Sequence, residues 1–128
     1  AVYTGDAYHR EWMTGTLDRV AAFGAEVLVG GRGTVAKGRA EADRAVALTR
    51  DFLTGLVGAV ETVQRRGGGL EEAYALARET LAPTYGGMAV FDHALVFDVQ
   101  RAWDEVAGEQ PRMWTVDRDH SVWDRLRG

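Results

Sequence analysis

The 128-residue chain contains no cysteine, which excludes disulfides, thiolate metal ligands and a cysteine nucleophile. Any metal ion it holds must be bound through Asp, Glu or His. A cysteine-free composition also fits a reducing compartment, and the cytoplasm is the expected location. Lysine is nearly absent: Lys37 stands alone, and arginine supplies the other basic residues, scattered along a chain of formal net charge −4. Without a basic cluster, neither nucleic acid nor an anionic membrane surface is an expected partner. No apolar run approaches the roughly 20 residues of a membrane-spanning helix, and no charged-then-apolar leader opens the chain. Internal repeats and low-complexity stretches are absent too. The glycine-rich turns Gly31-Arg32-Gly33 and Gly67-Gly68-Gly69 lack the strand-loop-helix setting of a phosphate-binding loop, so nucleotide binding is not indicated.

What is present is a chain with 46% hydrophobic residues, enough for the core of one ordinary domain. The first thirty residues read as strand, helix, strand. Val2–Thr4 is short and β-prone and ends in Gly5-Asp6. Met13, Leu17, Val20 and Ala21 recur at helical spacing, and Ala25–Val29 is an apolar run closed by Gly30-Gly31-Arg32-Gly33. Such a β-α-β unit normally pairs its strands in parallel and brings the two following turns to one edge, which predicts Asp6 and Arg32 as spatial neighbours. The chain begins at Ala1 without Met and runs at once into this β-type segment. That start suggests a cleaved or split protein; a trimmed terminus with a short edge strand is the alternative.

From about Arg39 the pattern is helical throughout. Ala45, Leu48, Phe52, Leu56, Val60 and Val63 mark one stripe of a helix more than twenty residues long, ended by Arg65-Arg66 and three glycines. Gly55 and Gly58 inside it predict close packing against a neighbour. A second helix is expected over Leu70–Leu81, with Glu71 and Glu72 in its first turn and Pro83 stopping it. A third carries Leu95, Val99, Ala102, Trp103 and Val106 and stops at Gly108; a short last one holds Val122, Trp123 and Leu126.

In order and spacing these motifs resemble the second half of the metallo-β-lactamase superfamily. The carriers are Thr4-Gly5-Asp6, then Thr16-Leu17-Asp18-Arg19-Val20, then Ala25-Glu26-Val27-Leu28-Val29-Gly30-Gly31-Arg32-Gly33. The helices through Thr49-Arg50-Asp51-Phe52-Leu53 and Gly69-Leu70-Glu71-Glu72-Ala73 resemble the helical tail of bacterial hydrolases of that superfamily. So does Phe91-Asp92-His93-Ala94-Leu95-Val96-Phe97-Asp98-Val99-Gln100-Arg101-Ala102. The resemblance implies an α/β fold: the C-terminal half of an αββα sandwich, helix-rich, with short strands near the N-terminus. Residues 1–36 would be the β-α-β part with the metal-site turns, and residues 37–128 the helical part.

The resemblance also implies chemistry. Asp6 would be a metal ligand bridging two ions, and the cofactor a divalent metal, zinc first, with iron or manganese as alternatives. A hydroxide held on the metal would attack an ester, lactone, thioester or amide. The departure lies in the second turn, where the superfamily carries Gly-His-Gly. Here the turn reads Gly31-Arg32-Gly33, and a guanidinium has no lone pair to give a metal. The superfamily's His-x-His-x-Asp-His cluster does not occur, and His9, His93 and His120 lie far apart. The chain alone is therefore expected to be inactive, its missing ligands coming from a second polypeptide or an N-terminal fragment, with a small molecule as substrate. The alternative is a catalytically silent member of the same fold that binds a ligand or partner.

The remaining candidates carry paired readings. His93, between Phe91 and Leu95, is either a structural histidine or the replacement metal ligand and proton-transfer group. Arg32 either binds a substrate carboxylate through its planar fork or pairs with an acid such as Asp6 or Asp92. Tyr8, His9 and Trp12 either line a substrate pocket or serve as core and surface residues. His120, in the run Asp117-Arg118-Asp119-His120, reads as a solvated helix start.

Overall fold

The computed structural model describes residues 3–110 and 112–127. In chain order its elements are α1 (His9–Glu11), a π-helical turn (Trp12–Thr16), α2 (Leu17–Ala22), β1 (Val27–Leu28), β2 (Ala36–Lys37), α3 (Arg39–Arg65), α4 (Leu70–Tyr85), α5 (Phe91–Val106) and α6 (Val116–Arg127). The described chain is mostly helical, as a helix-rich α/β reading requires.

Helix α3 is the axis of the core. Phe52, Leu53, Leu56, Val60 and Val63 are almost wholly buried along one side of it, where α4 and α5 pack. Ala45 and Leu48, expected on the same stripe, are only half-buried and face an open hollow instead. Gly55 behaves as expected: a Cβ there would lie 2.9 Å from Leu81 Cδ2, so the α3–α4 approach depends on its absence. Gly58 does not, because a Cβ there would meet nothing within 4 Å.

Pro83 does not stop α4, which continues to Tyr85. The proline removes one backbone hydrogen bond near the helix end. Against that loss, Tyr85 is buried, donates its hydroxyl to Leu48 O at 3.0 Å and sets its ring edge-on to Phe52 with centroids 5.1 Å apart. Tertiary contacts hold the last turn in place.

The expected parallel β-α-β unit is not what forms among the described residues. Val2 lies outside them, and Tyr3 and Thr4 are not in a strand. The two strands present are antiparallel, with Val27 opposite Lys37 and Leu28 opposite Ala36. The turn containing Gly31-Arg32-Gly33 is thus the loop of a hairpin, and Gly33 takes φ 96°, a conformation that suits glycine. Gly38 N donates to Glu26 O at 2.6 Å, extending the pairing up to the start of α3.

Between α1 and α2 the helix widens into a π turn. The Leu17 N–H reaches back to Trp12 O, five residues away. The Met13 carbonyl passed over in this way accepts instead from the Arg50 guanidinium of α3, which also pairs with Asp18 at 2.6 Å. An inserted arginine is a physical cause of the bulge.

Candidate functional site

The segment from Thr4 to Arg10 is held by side chains more than ninety positions away. Asp98, on α5 and fully buried, accepts from Thr4 N at 2.6 Å and from Thr4 Oγ1 at 3.1 Å, both through Oδ1. One helical turn further, Arg101 donates from Nε to Ala7 O at 3.0 Å and from Nη2 to Asp6 O at 3.2 Å. One more turn on, Glu105 accepts from His9 N at 2.8 Å and from Arg10 N at 2.9 Å, satisfying the open N–H groups at the start of α1. Spacings of three and four residues place all three side chains along one face of α5. From the segment before α6, Trp114 Nε1 donates to Gly5 O at 3.0 Å.

At Gly5 a Cβ would lie 3.1 Å from Phe97 Cβ and 3.2 Å from the Tyr3 hydroxyl, so the turn sits tightly against α5.

The consequence for Asp6 is specific. Its carbonyl is tied to Arg101, but its carboxylate has no hydrogen-bond or ion-pair partner among the described residues, and the side chain is exposed. It opens on a cleft of about 350 Å³ shared with Tyr8, Arg101, Arg112 and Trp114. Tyr8 is half exposed, with the Arg101 guanidinium 5.6 Å from its ring centroid. Asp6 and Tyr8 therefore line one cleft, which Arg32 does not.

His9 is not a cleft residue. It is fully buried, and its Nε2 lies 2.9 Å from Thr4 O, so it acts as a strut beneath the same turn. Burial pushes its imidazole below the usual histidine range, favouring the neutral ring. Trp12 is half-buried and lines a different hollow of about 760 Å³, together with Tyr3, Leu28, Arg32, Val46 and Met88.

Arg32 pairs with neither of the acids proposed for it. Asp92 is engaged by Arg78 at 3.2 Å, and Arg32 stands exposed over the Tyr3 ring at 5.2 Å from its centroid. Tyr3 lies under the influence of both turns. Burial raises its hydroxyl pKa, the negative charges of Asp6, Asp98 and Asp119 add to the rise, and Arg32 opposes it.

His93 is exposed at the first turn of α5, with its ring 5.1 Å from Trp123 and 5.3 Å from Phe97. It lines neither the cleft at Asp6 nor the larger hollow. Its ring partner Phe97 backs Gly5 and meets Trp114 edge-on at 5.2 Å. His120 is exposed within α6, as its charged context predicted.

Sequence reasoning missed Asp98, Arg101 and Trp114. The available signal was ionisable residues inside an otherwise apolar run: α5 is buried almost continuously from Ala94 to Ala102, and Asp98 and Arg101 fall within that stretch. Burial raises the Asp98 carboxyl to about 7, against the two hydrogen bonds from Thr4 that favour its ionised form. No helix of the described residues is long and apolar enough to cross a membrane. No protein-family model matches the chain, and no curated protein matches it.

Proposed function

We propose that the chain is the C-terminal half of a metallo-β-lactamase-superfamily hydrolase and supplies one metal-ligating carboxylate, Asp6. One observation carries this reading. The four backbone carbonyls from Thr4 to Ala7 each accept a hydrogen bond from a side chain, while the carboxylate at the centre of the turn is left exposed and unpartnered among the described residues. An aspartate serving only the turn would be expected to bond its own backbone or the guanidinium beside it. Here Arg101 spends its donors on main-chain oxygens instead.

The described residues do not by themselves fit a metal ion, since no three His, Asp or Glu side chains among them gather to hold one. The remaining ligands belong, on this reading, to a second polypeptide or an N-terminal fragment, and a small-molecule ester, lactone, thioester or amide is the substrate. The divalent ion, zinc first, would supply the activated water for hydrolysis. Neither Arg32 nor His93 lines the cleft with Asp6, and on this reading they contact substrate or partner. A cytoplasmic location belongs to the same proposal, resting on the cysteine-free composition.

A second reading, a catalytically silent binder, draws on the 760 Å³ hollow, whose largely apolar lining carries the single cation Arg32. Metal analysis of the native assembly separates the two. The hydrolase reading expects stoichiometric divalent metal that Asp6→Asn removes while the fold survives. Full metal content and turnover in Asp6→Asn would sink it, and a metal-free assembly that binds a small molecule would favour the binder.

A further inference from the structure

We propose that the hollow between α2, the hairpin and the start of α3 binds an apolar carboxylate, such as a medium-chain alkanoate, whose charged end meets Arg32. This rests on the reading of the hollow as a binding site and is independent of any metal at Asp6. Its volume of about 760 Å³ lies within the roughly 300–1,000 Å³ of small-molecule pockets. Leu17 and Val46 are buried in its lining, and Trp12, Leu28, Leu48 and Met88 are half-buried around them. The α3 stripe that α4 and α5 cover from Phe52 onward continues uncovered through Leu48 and Ala45, leaving apolar surface that gains by removal from water.

The polar groups select among occupants. Of the lining side chains Arg32 alone carries charge, and no acid among the described residues pairs with it. Its guanidinium rests over the Tyr3 ring, 5.2 Å from the centroid. A cation–π contact uses none of its five N–H donors, and their planar fork matches a carboxylate through two parallel bonds. Two lining hydroxyls are already spent, Thr4 Oγ1 donating to Asp98 Oδ1 at 3.1 Å and Thr49 Oγ1 to Ala45 O at 3.0 Å. The other two belong to Tyr3, beneath Arg32, and to Thr34, in the same loop as Arg32. A sugar or nucleotide would give up hydrogen bonds to water that so few free polar groups cannot replace, and a phosphate monoester would bring two charges to one cation. A monoanion with an apolar body matches on both counts.

The test is isothermal titration calorimetry on the native assembly with hexanoate, octanoate and decanoate. 1-Octanol and octylammonium serve as the neutral and cationic counterparts of octanoate, and thermal unfolding of each variant is measured in parallel. Dissociation constants should fall about two- to fourfold per added methylene. Octanoate should bind about tenfold tighter than octanol, with octylammonium weakest. Arg32→Gln should weaken octanoate by about the same tenfold factor while leaving octanol within about threefold of the parent. Arg32→Lys, which keeps the charge and loses the fork, should fall between. Ala45→Phe fills part of the hollow from a half-buried position on α3 without changing Arg32, and should weaken octanoate and octanol alike. Equal binding of octanoate and octanol, with Arg32→Gln indifferent, would overturn the carboxylate assignment and leave an apolar binding site standing. No saturable binding by any probe, or affinities that Ala45→Phe leaves unchanged in folded protein, would remove the hollow as a binding site and the proposal with it.

Discussion

The carboxylate of Asp98 accepts a 2.6 Å hydrogen bond from the backbone N–H of Thr4, joining residues 94 positions apart at the point where the chain enters the Gly5-Asp6 turn. The bond is buried, and its acceptor has a carboxyl pKa raised to about 7 by burial. Because that value lies above the 3.8 of an unperturbed group, the folded state binds the proton more tightly than the unfolded state. The stability linked to this proton is fully present below about pH 4 and is lost as pH rises toward about 7. The displacement from 3.8 to about 7 corresponds to about 4 kcal/mol. Asp98→Asn cannot ionise. It should unfold with a smaller difference between pH 5 and pH 8 than the parent, and should be the more stable of the two at pH 8. Urea denaturation at the two pH values measures this; parallel pH dependences in parent and variant would contradict it.

Val90, the residue before α5, has φ 62°, the left-handed region, and is the one non-glycine residue with positive φ among those described. A β-branched side chain pays about 1–2 kcal/mol for that conformation. Val90 is half exposed, so little burial is lost by changing it. Val90→Asn should raise stability by about 1 kcal/mol, because asparagine tolerates this conformation and can cap the helix behind it. An unchanged or lower unfolding temperature would argue against strain at this position.

The two glycines within α3 should respond oppositely to alanine. At Gly58 the added methyl meets open space, and Gly58→Ala should stabilise by about 0.5–1 kcal/mol through helix propensity. At Gly55 it meets Leu81 Cδ2 at 2.9 Å, and Leu81 is buried with little room to turn. Overpacking costs typically about 1–3 kcal/mol, so Gly55→Ala should be net destabilising. Calorimetry on the two variants checks the sign of each.

Asp104 is buried on α5 and accepts from Gln100 Nε2 at 2.7 Å and from the Arg118 guanidinium of α6. Arg118 in turn donates to Arg112 O at 2.7 Å and lies 4.3 Å from the centre of the Trp114 ring. Asp104→Ala leaves a largely enclosed guanidinium without its partner and should cost about 3 kcal/mol or more. It should also loosen Trp114, visible as a shift in tryptophan fluorescence at temperatures where the fold persists. A loss below about 1 kcal/mol with unchanged fluorescence would show that Arg118 finds water without penalty.

The helices were legible in the sequence because their apolar spacing is local. Arg39–Arg65 and Phe91–Val106 could be placed from side-chain periodicity and flanking glycines, and the need for glycine at position 55 from its interior position in a helix. What only the tertiary structure decided involves long separations. Whether an extended segment becomes a strand depends on which backbone lies beside it, and Thr4 finds a carboxylate on α5 instead of a ladder. Pro83 stays helical because Tyr85 is anchored on α3 from beyond it. His9 reads as a cleft residue in sequence and becomes a buried strut, and Asp98 and Arg101 read as polar interruptions of an apolar helix and become the supports of the candidate site. Local periodicity reports which face of an element is apolar; it carries no information about which distant backbone group a buried polar side chain will meet, and that pairing is settled only when the elements pack.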